Sequence, residues 1–244
     1  VELREGTIET SGSFTITGQS GLTHPGATTT ESTELHVKAK HLLLDAAASI
    51  NVDGKGLPAN SETGPPGSNQ PATGRAGGSH AGLGGLGTST DSLPVPYGFI
   101  AGPATPGGGS GAGGAGGGVV RIEVEQTATV VGQVLARGAN HVDGGGAGGS
   151  IFITCPTILG SGVIDASGGV GSSDTCVADC PETSGSGGGG RIALDAIISL
   201  GGAFGSSEGY LGLKAHGGHG ASPGGAGTIS IAYAESVYPD LIVD

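Results

Sequence analysis

Gly116-Gly117-Gly118-Val119-Val120-Arg121-Ile122-Glu123-Val124 is the stretch whose reading decides the fold. A glycine run gives way to a short strand in which apolar and polar residues alternate. The passage returns as Gly148-Gly149-Ser150-Ile151-Phe152-Ile153, as Gly189-Gly190-Arg191-Ile192-Ala193-Leu194 and as Ala226-Gly227-Thr228-Ile229-Ser230-Ile231. Repetition on this scale constrains architecture before any single residue does. One copy cannot bury its own apolar face, so neighbouring copies must cover it.

Each copy resolves into three short strands. One reads Arg121-Ile122-Glu123-Val124, Thr129-Val130-Val131 and Val134-Leu135-Ala136-Arg137-Gly138. The next reads Ser150-Ile151-Phe152-Ile153, Thr157-Ile158-Leu159 and Val163-Ile164-Asp165-Ala166-Ser167-Gly168. An earlier, diverged copy runs from Leu35-His36-Val37 through Leu42-Leu43-Leu44 to Ile50-Asn51-Val52-Asp53-Gly54. Alternation buries one face of each strand. Aligning the copies predicts inward columns Leu35/Ile122/Ile151/Ile192/Ile229, Val37/Val124/Ile153/Leu194/Ile231, Ile50/Val134/Ile164/Leu213 and Val52/Ala136/Ala166/Ala215. The fold class expected is all-β: a right-handed parallel β-helix, or solenoid, of about five to six rungs. A β-sandwich needs two-residue hairpin turns. Asp53-Gly54 and Asp143-Gly144 are the only candidates, and both border glycine stretches.

The glycine runs recur after the third strand of each copy, over about residues 54–118, 138–149, 168–190 and 217–227. Glycine lets backbones approach closely. The arms are therefore expected to stack with polyproline-II or polyglycine-like geometry into a flat flange, at an entropic cost. The whole of residues 1–244 reads as one domain, with a long Gly/Pro-rich arm inserted between rungs at residues 57–118. An excursion of that length is functional or mobile. It carries Tyr97 and Phe99, two of the few aromatic residues and the candidate binding residues. Arg121 and Arg191 follow equivalent glycine runs and are expected to donate to arm carbonyls.

Composition narrows the function classes. The chain has 244 residues with 55 Gly, 13 Pro and 3% aromatic residues, and a net charge of −12. Its nine basic residues form no stripe that could neutralise phosphates, which argues against nucleic acid as a partner. No apolar run approaches the roughly 20 residues of a membrane span, so membrane insertion is not expected. The chain begins at Val1 and lacks Met, which reads as a processed product or a piece of a longer protein. Cys176 and Cys180 lie in a polar insertion and are candidates for a disulfide with each other, with Cys155 as an alternative partner. Disulfides belong to oxidising compartments, so the expected location is extracellular or at the cell surface.

Catalytic sets are absent from the pattern. Gly218-His219-Gly220 resembles a short motif of the polygalacturonase family. The Asp-Asp pair that such chemistry uses does not occur, and no Arg-Ile-Lys follows His219. Asp165 and Asp195 stand apart in the sequence, and Asp143-Gly144-Gly145-Gly146 lacks the calcium nonapeptide pattern. Weak calcium binding at arm roots is the one cofactor left open. His216 with His219, and His36 with His41, lack a third ligand at a metal-binding spacing.

Gly-Gly-Gly-Gly-Arg191-Ile-Ala-Leu, with its Ala-Ser-Gly-Gly and Ala-His-Gly-Gly closings, resembles the glycine-rich β-helix repeats of large extracellular and cell-surface proteins. The resemblance covers about residues 35–233. It implies a structural or adhesive module, with no catalytic residues to carry over. The expected function is a non-catalytic building block of a surface filament, appendage or adhesive layer. Its partners would be further copies, neighbouring extracellular proteins or glycans. A carbohydrate-binding module using the long arm is the alternative. An ice-binding surface and a polysaccharide hydrolase or lyase rank below it.

Overall fold

In a computed structural model the chain is described over residues 7–61, 71–88, 90–172, 183–205, 207 and 209–244. Valine- and isoleucine-rich alternation produces the strands. They are β1 (Thr7–Glu9), β2 (Ser13–Ile16), β3 (Gly21–Leu22), β4 (Glu34–Leu44), β5 (Ser49–Asn51), β6 (Val119–Val130), β7 (Gln133–Leu135) and β8 (Ser150–Thr154). After these come β9 (Thr157–Leu159), β10 (Val163–Asp165), β11 (Arg191–Ile197), β12 (Ser199–Leu200), β13 (Leu213–Lys214), β14 (Thr228–Tyr233) and β15 (Asp240–Val243). A 3-10 turn at Gly202–Phe204 buries Phe204.

The strands form two sheets. The ten-stranded sheet runs β1-β4-β6-β8-β11-β14-β15, with β2 on β4 and β9 joining β6 to β12. The five-stranded sheet runs β13-β10-β7-β5-β3. Inward residues of both meet in one apolar cluster that includes Leu35, Ile50, Ile122, Ile153, Ile164 and Leu194.

This arrangement corrects the expected all-β, right-handed parallel β-helix of five to six rungs. The larger sheet is mixed, because β15 pairs antiparallel with β14. Two sheets stand where three strand faces per copy were expected. The first and second expected strands of a copy fuse into β4, of 11 residues, and β6, of 12. No glycine or proline interrupts these runs. The chain passes the expected corner through a bulge instead, where Ala39 pairs Val124 and His41 pairs Thr127.

The register also differs in one copy. Leu35 pairs Val120 and Val37 pairs Ile122, not Ile122 and Val124. From there the columns continue as Ile151/Ile192/Ile229 and Ile153/Leu194/Ile231. A slip of two residues keeps every inward side chain inward, so alternation alone does not detect it. In the smaller sheet Ile50, Val134, Ile164 and Leu213 pair in the expected column, which Leu22 extends.

The glycine segments are ordered by backbone hydrogen bonds. Each excursion is closed at its root by one such bond. Gly118 N–H donates to Val52 O (2.9 Å), Gly149 to Ala136 O (2.7 Å), Gly190 to Ala166 O (2.8 Å) and Gly227 to Ala215 O (2.8 Å). Further out, the segments form a bundle, not the expected flat flange. A flat layer offers each segment at most two neighbours. Residues 185–190 bond to residues 75–85 (Gly188 to Gly78 O), 145–148 (Gly148 to Gly188 O), 166–171 (Gly187 to Gly169 O) and 218–225 (Gly189 to Gly225 O). Contact this close depends on the missing side chain. A Cβ on Gly187 would overlap the carbonyl oxygen of Gly146.

Candidate functional site

The long arm is fastened to the sheets at Tyr97. Its ring is buried, and its hydroxyl donates to Pro106 O at 2.6 Å. The Arg191 guanidinium, at the start of β11, donates to Tyr97 O from Nε (3.1 Å) and Nη2 (2.7 Å). Nη1 reaches Thr228 Oγ1 at 3.1 Å. His80 completes the anchor, with its ring 4.9 Å from that of Tyr97. Its Nδ1–H donates to Gly148 O at 2.8 Å, and Nε2 lies 3.0 Å from Thr105 Oγ1. Burial, and secondly the Arg191 charge, push the His80 pKa down to about 3, so the ring is neutral. Burial pushes the Tyr97 phenol upward and lowers the Arg191 guanidinium.

The two arm residues singled out from the sequence therefore separate. Tyr97 holds the arm and offers no surface to a ligand, whereas Phe99 is 79% exposed. The arginines separate too. Arg191 binds the arm carbonyl, whereas Arg121 Nε pairs with Glu123 Oε1 at 2.7 Å and its Cζ sits 4.9 Å from the centre of the Phe152 ring.

Two concavities open on the outer face of the larger sheet. The first, of about 470 Å³, lies where β4 and β6 bulge and is lined by Glu9, Lys38, Arg121, Glu123 and Thr154. Its cations are engaged around Glu123, which besides Arg121 meets Lys38 Nζ (3.3 Å) and His36 Nε2 (3.1 Å). The Arg121 hydrogen bond chiefly, helped by Lys38 and His36 and opposed by burial, brings the Glu123 carboxyl down to about 2.

The second, of about 290 Å³, lies between the arm at Gly102 and the strands β8, β11 and β14. Phe152, Ala193 and Ser230 are register partners on its floor, with Asp195 and Pro239 at its sides. Gly102 (φ 74°) adopts a backbone conformation that favours glycine, and a Cβ there would lie 3.9 Å from Phe152 Cε1. Asp195 sits at a bulge in β11 whose next residue, Ala196, has φ 59°. Asp195 Oδ1 accepts the Ala196 N–H at 2.9 Å. Ser230 is 3% exposed, and its hydroxyl has no hydrogen-bond partner among the described residues.

Sequence reasoning did not single out Phe152 or Ser230, and it set Asp195 aside as an isolated carboxylate. The available signal was Asp195-Ala196, which breaks the alternation of β11. The other residues converge only through register. Cys155 is a buried free thiol whose Sγ lies 3.0 Å from Thr157 O. Cys176 and Cys180 lie outside the described residues. Asp165 accepts from Ser167 N at 2.8 Å, and Asp53 is bound by Arg137 at 2.7 Å. The rings of His216 and His219 stack at 5.3 Å. Among the described residues, no group of three or more His, Cys, Asp and Glu side chains is placed to hold a metal ion, and no helix is long and apolar enough to cross a membrane. Comparison of the chain with family models, with curated proteins and with solved structures returned no match.

Proposed function

We propose that the chain is a non-catalytic structural module, a building block of an extracellular filament, appendage or adhesive layer that associates with further copies of itself. The observation that carries this reading is the pair of strands at the two ends of the larger sheet. Among the described residues β1 pairs only with β4, and β15 only with β14. Each therefore presents one row of unpaired backbone groups, a template for another strand. β15 adds exposed Leu241 and Val243, and no lysine guards it. The glycine bundle supports the same reading, since backbone hydrogen bonds hold the excursions to the sheets at little expense in side-chain ordering.

Negative-stain electron microscopy over a concentration series tests it. The native chain forms end-to-end assemblies that lengthen with concentration, and Leu241→Lys on the β15 edge suppresses them. Isolated particles at every concentration, or assemblies indifferent to Leu241→Lys and to a matching Ile8→Lys on β1, overturn the reading.

A further inference from the structure

We propose that the 290 Å³ cleft between the long arm and the outer face of β8, β11 and β14 binds a neutral pyranose unit of a glycan. The inference is independent of self-association, which uses the strand edges. The volume stands near the lower bound of small-ligand pockets, about 300 Å³. It suits one or two sugar rings better than an extended peptide.

The lining matches the two chemistries of a pyranose. Phe152 supplies an aromatic surface for the apolar C–H face of the ring. Ala193 and Gly102 line the space beside it without large side chains. Asp195 and Ser230 serve the hydroxyl edge. Asp195 Oδ1 is occupied by Ala196 N–H, and Oδ2 accepts from no described residue. The Ser230 hydroxyl, 3% exposed and without a protein partner, lines the same cleft. Asp195 pairs in register with Thr154, so alternation sets it on the outer face beside Ala193, and the irregularity follows it, with Ala196 held at φ 59°; bulges are common beside functional sites.

Charge selects a neutral ligand. Phe152 already carries the Arg121 guanidinium 4.9 Å from its ring centre, which opposes a second cation. Asp195 opposes an anion. A polyol meets both groups, donating to the carboxylate and exchanging hydrogen bonds with the serine. Phe99 and Tyr238, 79% and 81% exposed, neighbour the cleft residues Ala101 and Pro239 in sequence and offer apolar surface for further rings of a chain.

The test is calorimetric titration of the native chain with neutral hexasaccharides of β-1,4-linked glucose, mannose, xylose and N-acetylglucosamine. At least one binds with Kd below about 1 mM. Phe152→Ala and Asp195→Asn each weaken it by about tenfold or more. Ala193→Leu, which fills the cleft, abolishes binding, and Ile198→Ser, an exposed residue that does not line the cleft, leaves it unchanged. Circular dichroism confirms that each variant folds. Ser230→Ala replaces any that does not, and it too weakens binding. Failure of every hexasaccharide to bind up to about 10 mM overturns the proposal, as does affinity unaltered by the cleft substitutions. Neither result bears on end-to-end assembly, which microscopy reads separately.

Discussion

The Arg191 guanidinium grips the Tyr97 carbonyl with two donors, Nε at 3.1 Å and Nη2 at 2.7 Å, across 94 residues of chain. A buried side chain at the head of β11 thus fixes the arm that walls the cleft. Removing the donors leaves a buried carbonyl unsatisfied. Arg191→Ala is expected to lower stability by about 2–4 kcal/mol. Arg191→Lys should recover only part, because an ammonium lacks the planar fork. Urea unfolding of the three proteins measures both effects.

The glycine bundle makes a sharper prediction, since identical substitutions should differ by location. Gly187→Ala drives a Cβ into the backbone of Gly146, whereas a Cβ on Gly26 meets nothing within 4 Å. Gly187→Ala should cost at least about 3 kcal/mol or prevent folding, and Gly26→Ala should stay within about 0.5 kcal/mol of the native chain. Thermal melts of the pair check the contrast.

Acid should destabilise the fold in a window set by His80. Its folded pKa, about 3, lies below the ordinary 6.5, so between these values the unfolded chain binds the extra proton. Stability is complete above pH 6.5 and falls as pH drops toward 3, by roughly 3–5 kcal/mol from this residue. Glu123, with its pKa lowered from 4.5 to about 2, adds a loss only below pH 4.5. His80→Gln should therefore flatten the stability profile between pH 6.5 and 4.5 and leave the steeper acid limb. Chemical denaturation at half-unit pH steps gives that profile.

Cys155 should be chemically inert while the chain is folded. The residue is fully buried, and burial raises its thiol pKa, so the reactive thiolate is scarce. Iodoacetamide should modify Cys155 at least about a hundredfold more slowly in the native chain than in urea. Mass mapping of the Cys155 peptide gives the rate, and equal rates would refute the burial.

The inward positions of the strands were legible because alternation has a period of two and burial follows it. Leu35, Ile151, Ile192 and Ile229 could be named as one column before any coordinates. The place of Ile122 could not, since a two-residue slip leaves every face unchanged. Phe152 and Ser230 were invisible as a pair, because 78 residues of sequence separate them and only successive registers through Ala193 bring them onto one floor. Tyr97 and Phe99 looked equivalent in the sequence. The hydrogen bonds of Arg191 and Pro106 decided that one is an anchor and the other is surface.

The sequence by itself determined that the chain is strand-rich, repetitive and interrupted at regular points by glycine, because these are local properties of residue type and period. Only the tertiary structure decided that β15 turns back antiparallel on β14, that β4 and β6 run unbroken through the expected corners, and that the glycine segments bond in several directions. Those outcomes depend on which backbone groups meet across long stretches of chain. Glycine has no side chain to encode its partner, so the lattice is set by how the strands at its roots are already stacked.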